Sequence, residues 1–297
     1  MNARNGLFVV LAGLLALSML ATMVGCQATA PTAGPTQAPA TSASAPTQAP
    51  AGGSISVAGS TTVQPLAEKL AEAFKAQNPE VQIDVQGGGS SVGVKSAGEG
   101  MVDIGTASRE VTDEEKQTYP DMRVFEIARD GIAVVVHPEV AVDGLTKDQV
   151  RDIFAGTITN WNEVGGPDKP IVVVSREEGS GTRAAFEEMV MGKDGPVIVD
   201  TAILQPSNGA VRTTVSTTPD SVGFLSFGYL DQSVKALKMD GVEATEANAL
   251  SGAYPIVRPL NMLTKGEPTG VVKAWLDFIL SAAGQAIVSE EGYIPVK

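Results

Sequence analysis

"SISVAGSTTVQPLAEKLAEAFKAQNP", residues 54–79, reads in order as a strand, a tight turn and a helix. Leu66, Leu70, Ala73 and Phe74 fall on one helical face, the spacing of a helix that covers a core. Pro65 suits the first helical turn, and Asn78-Pro79 stops the helix. Between strand and helix stands "GSTT", residues 59–62, a glycine followed by three hydroxyls. Glycine lets backbone come close, and hydroxyls at a helix start can hold an anion.

The same order recurs at "QGGGSSVG" (86–93) and at "SREEGSGTR" (175–183), where Arg176 adds a guanidinium. One such junction is weak evidence, since glycine and serine cap helices widely. Three can converge on a single oxyanion, although three independently capped helices would leave the same trace.

The alternation continues along the chain. "VQIDVQ", "VDIGTAS", "GIAVVVHP", "IVVVS", "SVGFLSF" and "YPIVRPLNML" read as strands. "SSVGVKSAGEG" reads as a short helix, and "VVKAWLDFILSAAGQAIVSEEG" as a closing helical region. "TDEEKQTYP" and "LTKDQVRDIF" each open on a capping box, Thr112 with Glu115 and Thr146 with Gln149. Leu145 and Val150 can staple the second of these helices. The pattern predicts an α/β fold with largely parallel sheets, its ligand beyond the carboxyl ends of strands. No internal repeat is visible.

The chain has 297 residues, room for one large or two medium domains. Residues 1–26 carry Arg4, an apolar run from Leu7 to Leu20 and a small-residue ending around Cys26. They read as an export signal, too short in its apolar part to span a membrane. Cys26 directly after Gly25 resembles a bacterial lipobox, which implies cleavage before Cys26 and lipidation of its thiol. Residues 27–53 are uncharged and rich in Ala, Pro, Thr, Gln, Ser and Gly, a tether that cannot bury apolar surface. Cys26 is the chain's one cysteine, so no intrachain disulfide and no cysteine-based zinc site can form. The net charge is −13. Removing the signal leaves 20 basic against 34 acidic side chains, a net of −14. That excess argues against nucleic acid and anionic lipid surfaces as partners.

Enzyme chemistries find little support. There is no G-x-S-x-G, and the one histidine, His137, ends an apolar strand beside Pro138. No G-x-x-x-x-G-K-[ST] phosphate loop is present. The acidic pairs Glu114-Glu115 and Glu290-Glu291 read as solvated helix faces, and Trp161 and Trp275 suit packing. A binding protein without cofactor or metal fits best.

"GSTTVQPL", "GGGSSVGVK", "VDIGTASRE", "RDGIAVVVHP", "QVRDIFAGTITNWNEVGG", "REEGSGTR" and "SVGFLSFGYL", in that order, resemble the phosphate-binding proteins of bacterial phosphate ABC importers. The resemblance spans Ser54 to Lys297. It implies a periplasmic-binding-protein type II fold, two α/β domains closing on inorganic phosphate about a two-segment hinge. The crossings would fall near Asp130–His137 and Ala253–Pro259, giving a first domain of residues 54–132 and 255–297 and a second of 133–254. It also implies delivery to permease subunits, at the outer face of a membrane that the lipid on Cys26 would grip.

Carried over residue by residue, the resemblance assigns the ligand to Ser60, Thr61 and Thr62, to Ser90 and Ser91, and to Arg176, Ser180, Gly181 and Thr182. Some members have an aspartate where this chain has Ser108-Arg109. Ser108 is therefore expected as a hydroxyl ligand and Asp130 as the site carboxylate, with Arg109 pairing Asp130 or touching the ligand. Such a carboxylate would accept the proton that phosphate keeps and sulfate lacks. The acidic surface is no obstacle. Each helix N-terminus offers roughly half a positive charge, and surface charges are screened over about 8 Å at physiological salt. Receptors for sulfate, molybdate or tungstate, and more remotely a serine-type hydrolase, remain the alternatives.

Overall fold

The computed structural model describes residues 52–296. The export signal, Cys26 and the tether as far as residue 51 lie outside them.

Strand β1 (Gly53–Gly59) leads into helix α1 (Val63–Gln77), and β2 (Val81–Gln86) into α2 (Ser90–Glu99). Helix α1 buries Val63, Leu66, Ala67, Leu70, Ala71 and Phe74, the stripe that the spacing predicts, with Ala73 only half-buried at its edge. Each large apolar side chain so covered contributes about 1.5–3 kcal/mol. Next come β3 (Ile104–Ala107), α3 (Asp113–Thr118) and the long β4 (Met122–Val136). Then follow β5 (Gly144–Leu145), α4 (Lys147–Phe154), β6 (Val172–Arg176), α5 (Gly181–Phe186), β7 (Ile203–Gln205) and α6 (Asn208–Thr217). The chain closes with β8 (Ser221–Ser226), β9 (Lys235–Ala236), β10 (Lys238–Met239), α7 (Glu246–Leu250), β11 (Val257–Lys265), α8 (Gly270–Ile279) and α9 (Ala282–Glu290). Both capping boxes form, at Thr112–Glu115 and Thr146–Gln149.

The main strands follow the order β2-β1-β3-β11-β4-β8-β6-β7. At one end β1 pairs in parallel with β2 and β3, and at the other β6 pairs in parallel with β7 and β8. The centre departs from the largely parallel expectation. Strand β11 is antiparallel to both β3 and β4, and β4 is antiparallel to β8. A chain that crosses between two halves and returns must run both ways through the middle.

Two large hydrophobic clusters flank this crossing. One contains the buried faces of β1 and α1 with Ile127, Ala128, Leu260, Trp275 and Tyr293. The other contains Ile132–Val136 with Trp161, Phe186, Phe224 and Ile256. Within the second, Phe186 stacks on Phe224 at 4.1 Å between ring centres, and Phe154 packs edge-on to Phe186. Along β4 the chain passes from the first cluster to the second between Ala128 and Ile132, and the reverse passage lies between Ile256 and Leu260. Asp130 and Arg258, register partners in the β4–β11 pair, stand at that passage.

Candidate functional site

The first junction is built by close backbone approach. Gly59 has φ +138°, and a Cβ there would sit 2.7 Å from the Cα of Gly93. Only glycine suits such a position. Ser60 accepts hydrogen bonds from the Thr62 and Val63 amides, at 3.1 and 3.3 Å, and so caps α1. Its hydroxyl is committed to the helix start, and the Thr62 amide is committed to it. The Thr62 side chain is what projects onward: its hydroxyl lies 3.1 Å from the Thr182 hydroxyl, and both residues are buried.

The second junction places Ser90 at the start of α2. Its hydroxyl accepts from the Ser108 amide at 3.0 Å and lies 3.4 Å from the Ser108 hydroxyl. At the third junction Ser180 caps α5 through the Arg183 amide at 3.2 Å. Gly181 then packs directly on the second. A Cβ on Gly181 would collide with Ser90 Oγ and stand 2.7 Å from Ser108 Oγ. The three loops therefore meet at one buried group of hydroxyls.

Three buried charged side chains belong to this region: Arg258 touches Thr62, Asp130 holds Arg258, and Arg176 acts on Arg258 through its charge. Arg176 is 1% exposed; its Nε donates to the Gln205 carbonyl and its Nη2 to the Pro206 carbonyl and to Glu177. Its buried Nη1 has no hydrogen-bond partner among the described residues. Asp130 receives the Arg258 Nη2 at 2.9 Å and Nε at 3.2 Å, the Ser226 hydroxyl at 2.9 Å and the Phe227 amide. Arg258 Nη2 also donates to the Thr62 hydroxyl at 3.1 Å, whereas its buried Nη1 is likewise without a partner.

Burial raises the Asp130 pKa and lowers that of Arg258, while each one's charge opposes the shift of the other. With four donors on the carboxylate and an arginine that does not deprotonate, the pair is ionised. The Arg176 charge also weighs against Arg258, so two guanidiniums share this region.

Most of the expected site residues come together here: Thr61, Thr62, Ser90, Ser108, Asp130, Arg176, Gly181 and Thr182, with Ser60 and Ser180 as the caps behind them. Ser91 does not. It is exposed, and its hydroxyl accepts from Arg109 Nη2 at 3.2 Å, although its amide donates to the Gly179 carbonyl across the junctions. Arg109 is a correction. It pairs with neither Asp130 nor the buried hydroxyls, because Glu115 takes its two terminal nitrogens at 2.8 and 2.7 Å. That two-bond fork is held by the capping box of α3.

Sequence reasoning misses three neighbours. Asn208, fully buried at the start of α6, donates to the Thr62 hydroxyl at 2.8 Å and reaches Thr61 at 3.4 Å. Ser226 holds Asp130, and Arg258 joins Asp130 to Thr62. A lone arginine inside "YPIVRPLNML" was the available signal, since arginine is seldom fully buried without a task. Tyr229 adds a tie from the side, donating to the Thr61 carbonyl at 2.6 Å. Burial, then the nearby charge of Glu68, pushes its phenol up to about 12, so it stays a donor at neutral pH.

A PBP superfamily domain model matches residues 44–283, and with the mixed α/β fold this sets the class: a type II periplasmic-binding fold. Over 257 residues the chain is 38% identical to the phosphate-binding protein PstS of Bacillus subtilis (strain 168), covering 85% of this chain and 84% of that protein. A candidate phosphate ABC transporter substrate-binding protein from Clostridium perfringens, solved with bound phosphate, is similar at TM-score 0.79 and 46% identity, over 82% of this chain and 100% of that one. An ABC-type phosphate transport receptor from Vibrio cholerae follows at TM-score 0.68 and 36% identity, over 81% and 99%. The chain belongs to this family, the phosphate-binding proteins of phosphate ABC transporters.

Proposed function

We propose that the chain captures inorganic phosphate outside the cytoplasm through Thr61, Thr62, Ser90, Ser108, Arg176, Gly181 and Thr182, and hands it to the permease subunits of an ABC importer. The observation that carries this reading is Arg176 Nη1, a buried cationic donor left unspent at the end of the strand that leads into the Ser180–Thr182 junction. A buried donor without an acceptor costs about 1–3 kcal/mol, more when it is charged. A tetrahedral oxyanion removes that cost and accepts from several hydroxyls at once. The named function of the relatives selects phosphate among such anions. Binding and release complete the task, and no catalytic step is part of it. The lipid on Cys26 holds the protein at the membrane, and residues 27–53 let the folded part reach the importer.

Calorimetric titration of the purified protein with phosphate, sulfate and molybdate tests the reading. Tight phosphate binding is expected. Binding of sulfate or molybdate with none of phosphate would contradict it.

A further inference from the structure

We propose that Arg258 is a second arginine on the ligand, and that Asp130 serves the site by holding Arg258 and not by touching the anion. This rests on the phosphate reading above and adds to it a binding residue from the crossing strand β11.

The argument starts from what each polar atom is already doing. A carboxylate has about four acceptor positions. Asp130 has four donors: Arg258 Nε, Arg258 Nη2, the Ser226 hydroxyl and the Phe227 amide. None is left for a proton on the ligand. Arg258 is the opposite case. Nε and Nη2 are fixed by Asp130 and the Thr62 hydroxyl, which orients the guanidinium plane, while the buried Nη1 keeps unspent N–H groups. Arg176 repeats this pattern with Glu177 and the Gln205 and Pro206 carbonyls as its anchors.

Electrostatics agrees with the geometry. The two guanidiniums oppose each other, and Asp130 is the only acidic side chain among the buried polar residues described. The region therefore holds two buried guanidiniums and one buried carboxylate, with the half-exposed Glu177 pairing Arg176 from the rim. Buried ion pairs contribute little to stability compared with apolar packing, so a second arginine here is better explained by an anion than by the fold. An anion between the two Nη1 groups satisfies both, on donors that neither Glu177 nor Asp130 occupies. Arg258 also joins the lobes: Thr62 starts the helix of one cluster, and Ser226, which holds Asp130, ends β8 of the other.

The test uses the whole protein carrying Arg258→Lys, and the double variant Asp130→Asn with Arg258→Gln. Lysine leaves Asp130 a cation but removes the oriented fork, while the double variant removes both charges and strands neither. Phosphate affinity is read by calorimetry, and melting is recorded with and without phosphate. Affinity is expected to fall about 30-fold or more in the double variant and by a smaller factor with lysine. Without phosphate the double variant should melt no lower than the parent, because repulsion between the arginines is gone. A purely structural arginine would give the reverse, a lower melting point and unchanged affinity in the folded protein, and would overturn the proposal. Sulfate binding gained by the double variant would instead set Asp130 against the ligand's proton, which also overturns it. Failure of the parent to bind phosphate would sink the functional reading itself, a result distinct from either.

Discussion

Arg176 carries the binding argument at the scale of one residue. Replacing it with alanine removes two anchors to backbone carbonyls and the unspent donor together. Loss of a buried charge-assisted partner costs about 2–5 kcal/mol, so phosphate affinity in Arg176→Ala should drop about 30-fold or more. Calorimetry on the folded variant checks this, and unchanged affinity would remove Arg176 from the site. Arg176 was legible in the sequence because its motif is local, with the hydroxyl, glycine and threonine only a few residues on. Arg258 and Asn208 were not, since they meet Thr62 across 196 and 146 residues of chain. Local patterns carry no trace of such meetings. Arg109 misled for a related reason: its true partner, Glu115, lies six residues on and was read only as half of a capping box.

Among the elements, the strand-to-helix junctions were the most legible feature, because capping chemistry is written in adjacent residues. Their convergence depends on glycine as much as on hydroxyls. At Gly181 any side chain would meet Ser90, of the second junction, and Ser108, just after β3. Overpacking of this kind costs about 1–3 kcal/mol. We predict that Gly181→Ala, whose added methyl meets only the Ser90 and Ser108 side chains among its three nearest atoms, keeps its overall fold but binds phosphate about 5- to 150-fold more weakly. Titration of the variant beside the parent decides this, and equal affinity would mean that the junctions need not meet for the ligand to bind. A fourth junction, from β7 into α6, escaped the sequence reading. It presents Ser207 and Asn208 without the glycine-then-hydroxyl order that marked the other three.

Across the whole molecule the central strands do two jobs. The α/β class followed from strand and helix alternation alone. The antiparallel pairing of β4 with β11 did not, because alternation records which elements occur and not which way the chain crosses. Those two strands supply the passage between the two hydrophobic clusters and also Asp130 and Arg258. At this scale the anchor makes its own prediction. Cys26→Ser should leave phosphate binding intact and shift the protein from the membrane to the soluble fraction, as cell fractionation would show. Equal membrane retention would end the lipid assignment.

The central claim, that the unspent guanidinium donors receive the phosphate, is tested most directly by a crystal structure of the protein grown with phosphate. The account predicts a tetrahedral anion within hydrogen-bond distance of Arg176 Nη1 and of the Thr62 and Thr182 hydroxyls. An anion bound elsewhere, with Arg176 Nη1 still unpartnered, would contradict it.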